Sequence, residues 1–337
     1  MDKRARICQT NKDADTMQTL KRFRDLSARL RTHFKSSASE TDFTDEGLLK
    51  LVAGGEGERA AELPKGFAVM RNALDYKEQL QWARKSFEEY AFFPHNNLSA
   101  LGQECSDRQA HLKKGTCKTL KRIFYKTKTN SNIFKVRWSC LGMNYDWTNR
   151  IYVEGWKSEF PTDLASMCCD MAHRGGFEGE YTPEAAIVNF YTPSMIMGPH
   201  RDDAELTMTK PIVSISLGCH AIFCIENHPF HKDSDVACVW VRSGDVVVMA
   251  GESRQALHGV AVTIPESFEI DKAFKHSSDD MRLAKQLVST RININVRQVE
   301  DPQDLSCTFE GQKRLVDDDQ RPSSSNQSTT RMMMQTS

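Results

Sequence analysis

The chain has 337 residues, 39% hydrophobic and 27% charged, a balance that supports a substantial core and excludes a wholly disordered chain. Lys+Arg and Asp+Glu are equal at 45 each, so attraction to nucleic acid cannot come from net charge and needs a local patch. The 10 cysteines contain no C-x-x-C, which excludes a zinc ribbon or thioredoxin-type motif, and no apolar run is long enough to span a membrane.

Residues 16–34 carry Leu20, Phe23, Leu26, Leu30 and Phe34 near helical spacing, which predicts an extension helix docked on the main domain. The first 35 residues are basic yet contain Asp2, Asp13, Asp15 and Asp25, a weak import signal that leaves nucleus, mitochondrion and cytoplasm open. Residues 36–62 are polar and acidic with Gly54, Gly55 and Gly57, and predict a mobile linker, so 1–63 reads as an N-terminal extension. A short strand follows at 66–70. Asp75 and Glu78 then form a capping box opening a helix with Tyr76, Leu80, Ala83, Phe87 and Tyr90 on one face.

Residues 113–137 form the local patch that net charge conceals. Lys118, Lys121, Arg122, Lys126 and Lys128 lie there with no acid between, interleaved with Phe124, Tyr125, Phe134 and then Trp138. This mixture suits phosphate neutralisation with base stacking, and equally a solvated charged face. Residues 141–147 predict a strand end and a turn. A helix opens at Pro161-Thr162, runs to about Ala172 and is ended by Gly175-Gly176. The span 64–184 reads as a helical support and lid region.

From residue 186 short strands recur, at 187–191, 212–217, 221–225, 237–241, 246–249, 259–263 and 291–299, with turn residues between them. That rhythm implies a sandwich or barrel spanning 185–300. Residues 265–289 interrupt it with one charged helix, a surface insertion, and 301–337 reads as a disordered tail.

The chemistry concentrates after the first of these strands. Thr192-Pro193 and Gly198-Pro199 read as breaks, and directly after the second come His200 and Asp202. Two residues apart in an extended segment, their side chains point the same way. They supply two-thirds of a two-His, one-carboxylate site that leaves positions open on a non-heme iron. His258, at the start of a later strand, is the best third ligand. His228 and His231 form an H-x-x-H that could bind zinc, with no third ligand evident nearby. In the last strand Arg291, Asn293, Asn295 and Arg297 occupy one face and Ile292, Ile294 and Val296 the other. Two arginines and two amides late in a barrel suit a planar dianion such as a 2-oxo dicarboxylic acid, because guanidinium grips carboxylate bidentately. Asn189 and Tyr191 share one strand face and could add hydrogen bonds.

These residues together resemble the AlkB family of iron(II)- and 2-oxoglutarate-dependent dioxygenases, most closely its eukaryotic homologue-one branch. The resemblance spans roughly 65–299 and rests on Asn189-Phe190-Tyr191, His200-Arg201-Asp202, Lys210-Pro211, Ser243-Gly244-Asp245, His258 and 291–299. It implies an α+β fold with a mainly β core: a double-stranded β-helix (jelly roll) with flanking helices and an N-terminal nucleotide-recognition lid. It also implies Fe(II), 2-oxoglutarate and O2 as cofactor and co-substrates. His200, Asp202 and His258 would be the metal ligands, and Asn189, Tyr191, Arg291, Asn293 and Arg297 the 2-oxoglutarate contacts, with Arg291 on the distal carboxylate. Met143, Asn144, Tyr145 and Trp138 would meet the substrate base. Two positions depart from the family pattern: Asn295 stands where Thr is usual, and Met143 where an aromatic residue is common.

The implied activity is oxidative demethylation of N-methylated bases in tRNA or DNA by a monomer, the base flipped or unpaired, with no membrane partner. The alternatives are a histone demethylase or hydroxylase using the same iron site, and a non-enzymatic RNA-binding protein with a relic barrel.

Overall fold

Strands apolar on both faces dictate a layered architecture, because each face must be covered by something else. The computed structural model describes residues 14–53, 60–91, 95, 137–146, 150–192, 195–270 and 277–301. The basic stretch with Lys118, Lys121, Arg122, Lys126 and Lys128 lies outside them, as does 302–337. The elements below belong to one unit, Met1–Val299.

Eleven strands are described, β1 (Phe67–Met70), β2 (Trp138–Asp146), β3 (Ile151–Lys157), β4 (Ala185–Tyr191), β5 (Met197–His200), β6 (Ile212–Gly218), β7 (Ala221–Glu226), β8 (Val236–Val241), β9 (Val246–Met249), β10 (His258–Thr263) and β11 (Arg291–Arg297). The helices are α1 (Ala14–Ser36), α2 (Asp45–Ala53), α3 (Tyr76–Lys85), α4 (Thr162–Arg174) and α5 (Ser278–Leu287). The major sheet runs β1-β9-β6-β11-β4-β2-β3 and the minor sheet β5-β10-β7-β8. All the pairings are antiparallel. Two antiparallel sheets whose successive core strands from β4 to β11 alternate between them, except at the β7–β8 hairpin, make a jelly roll.

Alternation sends each side chain to a defined layer. On the outer face of the major sheet Val188, Val213, Ile215, Val246, Ile292, Ile294 and Val296 pack with Leu80, Ala83, Leu164, Cys168, Leu283 and Leu287 of the covering helices. Between the sheets lie Ile212, Ala221, Ile225, Val247, Met249 and Val260. On the outer face of the minor sheet Ile222, Cys224, Trp240 and Val262 pack with Phe23 and Leu30 of α1 and Leu48 of α2. Fully burying side chains of this size stabilises by about 1.5–3 kcal/mol each. The docked extension helix is therefore observed. So is the capping box of α3, where the Glu78 N–H donates to Asp75 and the Asp75 N–H to Glu78, both at 2.8 Å.

Four expectations are corrected. Residues 36–62 are not a plain linker: a 3-10 turn (Glu40–Phe43) and α2 occupy most of their described part. Leu48 is 1% exposed, and Phe43 stacks on Trp240 with ring centroids 5.9 Å apart, so apolar contact outweighs the polar composition. Gly198-Pro199 is not a break but the middle of β5, tolerated because β5 is an edge strand and proline needs no ladder partner on its open side. The charged helix α5 is no surface insertion, since Leu283, Ala284 and Leu287 are buried in the core and Arg84 of α3 holds Asp280 at 2.7 Å. The segment around 141–147 is also longer as a strand than its turn residues suggest, because β2 pairs with both β4 and β3. Together with β1, it places part of the 64–184 region inside the major sheet.

Candidate metal and keto-acid site

The pairing of β10 with β5 brings the two imidazoles together. His258 lies opposite His200 in register, and their ring centroids are 4.5 Å apart. Gly259 permits this approach, since a Cβ there would stand 2.6 Å from the Met197 carbonyl oxygen of β5. His200 Nδ1 lies 2.9 Å from the Gly198 carbonyl and His258 Nδ1 3.0 Å from the Ala256 carbonyl. A carbonyl only accepts, so each Nδ1 carries the proton and each Nε2 keeps its lone pair for a metal. Both Nε2 atoms sit 3.8 Å from Asp202 carboxylate oxygens. Among the described residues this is the one His/Cys/Asp/Glu cluster compact enough to hold a metal ion. His228 and His231 have ring centroids 6.3 Å apart and belong to no such cluster.

Electrostatics favours ligand-ready protonation states. Burial, reinforced by His200, pushes the His258 imidazole down to about 4, so it is neutral at pH 7. For Asp202 burial works upward, but Arg297 and the two imidazoles outweigh it and hold the carboxyl below its ordinary range. Arg297 Nη2 is 3.2 Å from Asp202 Oδ2, and its Nη1 donates to Glu205 Oε1 at 2.9 Å. Glu205 is fully buried and also accepts from Arg254 Nη2 at 3.0 Å and from the Tyr152 hydroxyl at 2.9 Å. Burial raises its pKa and Arg297 and Arg254 more than reverse that, leaving it an anion. Arg254 Nη1 further donates to the Asp202 carbonyl at 2.6 Å. The metal-facing carboxylate is thus fixed through both its side chain and its backbone.

Between the sheets lies a cavity of about 400 Å³ lined by all three cluster residues and by Asn189, Tyr191, Arg291, Asn293, Asn295 and Arg297. Central placement of β11, between β4 and β6, explains why its polar face meets a cavity rather than water. Arg291 is 2% exposed and donates from Nη2 to Ser216 Oγ at 3.1 Å, while its Nε and Nη1 are buried without a hydrogen-bond partner. Burial pulls its pKa below the ordinary guanidinium value. An orphaned buried guanidinium across the cavity from a metal-type cluster fits an anionic chelating ligand. Asn293 spends its amide on Ser214 Oγ at 2.7 Å and the Ile215 carbonyl at 3.2 Å. Of the base-contact candidates Tyr145 lines the cavity, whereas Met143, Asn144 and Trp138 do not. Glu205, Arg254, Tyr152 and Arg150 escaped the sequence reading. Arg150 pairs with Asp203 at 3.0 Å at the cavity rim.

A jelly roll with a two-His, one-carboxylate cluster facing a buried unpaired arginine defines an oxygenase of the iron and keto-acid type. The family described as the 2OG-Fe(II) oxygenase superfamily matches residues 66–297, and the chain belongs to it, among its AlkB-like members. That family works with Fe(II), 2-oxoglutarate and O2. The chain is 33% identical over 262 residues to a protein of Arabidopsis thaliana named DNA N(6)-methyladenine demethylase ALKBH1A, covering 69% of this chain and 75% of that one. Identity is 37% over 181 residues to N6-methyladenosine RNA demethylase ALKBH of Cryphonectria parasitica, 50% of this chain and 77% of that one. With tRNA demethylase abh1 of Schizosaccharomyces pombe it is 35% over 166 residues, 49% of this chain and 53% of that one. Among the described residues no helix is long and apolar enough to cross a membrane.

Proposed function

We propose that this chain oxidatively removes methyl groups from ring or exocyclic nitrogens of nucleobases in tRNA or DNA. The observation that carries the reading is the cavity itself: one wall offers the His200, Asp202 and His258 cluster, another the unpaired Arg291, and the rim offers Tyr145. The printed names of its relatives support a nucleic-acid substrate.

His200 and His258, through Nε2, and Asp202 would hold Fe(II). Arg291, with Tyr191, Asn189, Asn293 and Arg297 around it, would hold 2-oxoglutarate. Iron with 2-oxoglutarate and O2 supplies the oxidising equivalents that turn an N-methyl group into formaldehyde, with release of succinate and CO2. The protein's own contribution is placement. Arg297 keeps Asp202 ionised and aimed, the two backbone-bonded imidazoles stay in one tautomer, and the enclosing sheets exclude water from the reacting carbon. A base inside a duplex cannot enter this cavity, so it arrives extruded or already unpaired. Met143, Asn144, Tyr145 and Trp138 of β2 would form the lid's base-side wall. Lys118, Lys121, Arg122, Lys126 and Lys128 would grip the strand. The substrate class accords with nucleus, mitochondrion or cytoplasm.

The test is anaerobic reconstitution with Fe(II), then succinate and formaldehyde assays on matched methylated DNA, tRNA and histone peptide. Product from nucleic acid in the wild type, absent in His200→Ala and Asp202→Ala, is the expected outcome. Turnover of peptide alone would move the assignment to a histone substrate. Product undiminished in both variants would leave only a relic barrel.

A further inference from the structure

We infer that the loop joining β7 to β8 is a stacking platform for the nucleobase next to the extruded one, with Phe230 as its surface. The inference rests on the nucleic-acid reading above and names a contact that reading does not contain.

Phe230 is 50% exposed, and its backbone sits at φ 63°, the left-handed region that bulky residues seldom occupy. Such a conformation persists only where surrounding structure imposes it, and it is a common mark of working loops. Here a turn supplies it: the His231 N–H donates to the His228 carbonyl at 3.1 Å, with Pro229 at the second position and Phe230 at the third, and a side-chain contact then orients the ring. The Arg201 guanidinium carbon lies 4.1 Å from the Phe230 ring centroid, within cation–π range. Arg201 stands between His200 and Asp202 in the chain, and its side chain is only 9% exposed. Its Nη1 donates to the Gln255 carbonyl and pairs with Glu226 Oε2 at 2.7 Å, while Nη2 is buried without a partner. Glu226 Oε2 also accepts from the Leu257 N–H at 3.0 Å, one residue before His258. The ring is therefore braced against both segments that carry the imidazoles, and its position is set in register with the candidate reaction centre.

The surroundings select a base over a phosphate. A second cavity of about 470 Å³ is lined by His228, Pro229, Phe230, His231, Glu252 and Gln255, roomy enough for a planar ring. Glu252 in that wall, its charge partly offset by Lys65 at 3.9 Å, gives a phosphate no counter-charge, whereas Phe230 and the two imidazoles offer faces and edges to a neutral heterocycle. Arg201 lines the first cavity and backs the ring that lines the second, so the two adjoin. Extruding one nucleotide uncovers a face of its neighbour, and an aromatic side chain at the mouth replaces the lost stacking partner.

The test uses the iron-loaded full chain and a fluorescent single-stranded oligonucleotide carrying one methylated base, compared with versions abasic at either flank. Anisotropy should show about tenfold weaker binding for Phe230→Ala, in keeping with loss of one base–aromatic stack. In the wild type, one of the two flanking abasic sites should cost the same factor, and that cost should vanish in Phe230→Ala. Phe230→Trp should restore affinity, and Phe230→Leu should not. Should Phe230→Ala melt earlier than wild type, the abasic comparison within the wild type still decides. No loss at either flank, an abasic cost that persists undiminished in Phe230→Ala, or full affinity in Phe230→Leu would each overturn the platform. If the wild type demethylates the oligonucleotide but shows none of this coupling, the platform alone falls. If it neither binds nor turns over any methylated oligonucleotide, the nucleic-acid reading falls with it.

Discussion

Replacing Arg291 by methionine separates the cost of the keto-acid cradle from its use. In the free protein the guanidinium is 2% exposed, keeps one hydrogen bond to Ser216, and leaves Nε and Nη1 unsatisfied. Each buried unsatisfied polar group costs about 1–3 kcal/mol, and the lost Ser216 bond is worth about 1 kcal/mol. Arg291→Met should therefore stabilise the ligand-free protein by about 2 kcal/mol, raising Tm by about 3 °C for a domain of this size. Co-substrate binding should change in the opposite direction. Removing one partner of a buried charge pair costs about 3–5 kcal/mol, roughly a thousandfold in Kd. A ligand at a hundred times its Kd stabilises the wild type by about 2.7 kcal/mol, and the variant should gain almost none of this. Differential scanning fluorimetry without oxygen, with Mn(II) and with or without 2-oxoglutarate, reads both effects. If the variant melts below wild type and still gains as much from 2-oxoglutarate, Arg291 is not the anchor.

Gly259→Ala puts a Cβ 2.6 Å from the Met197 carbonyl, and the four-residue edge strand β5 is what must yield. Stability should fall by only about 1–3 kcal/mol, while anaerobic Co(II) titration should show at least tenfold weaker binding as His200 moves off. Equal metal affinity would mean that β5 tolerates the shift. Glu205→Gln leaves Arg254 and Arg297 facing a neutral amide, which should cost about 3–5 kcal/mol and lower Tm by about 6 °C. An unchanged Tm would show that the buried ion pairs do not hold the loop. His220, pushed down to about 4 by burial and Arg242, takes its proton near 6.5 when unfolded. The unfolded chain then binds more protons between those values, so the stability His220 contributes is whole above pH 6.5 and is lost as pH falls toward 4. After allowance for partial exposure the effect is about 2 kcal/mol. Urea midpoints of wild type and His220→Gln should therefore differ in pH slope across that window, and parallel curves would contradict the assignment.

The parts legible from residue order were those with short-range signatures. The seven-residue alternation of β11, the capping box of α3 and the His-x-Asp spacing each carry their geometry within a few positions. What escaped depends on partners far away in the chain. Arg254 and Glu205 are 49 residues apart and Arg297 and Glu205 92, with no local pattern to mark them as one buried network. Helix α2 was hidden because a short amphipathic run inside polar sequence gains its stability from contact with β8, through Trp240, rather than from propensity. Strand β5 was hidden because Gly198-Pro199 is punctuation in a loop and permissible on an open sheet edge.

The packing of α1 and α2 against the minor sheet bears on how the protein should be handled at the bench. The family match begins at residue 66, after both helices. A gene trimmed to that boundary would lose Phe23, Leu30 and Leu48 and bare the oily surface of Ile222, Trp240 and Val262. Such a product would self-associate in the test tube even with every metal ligand intact.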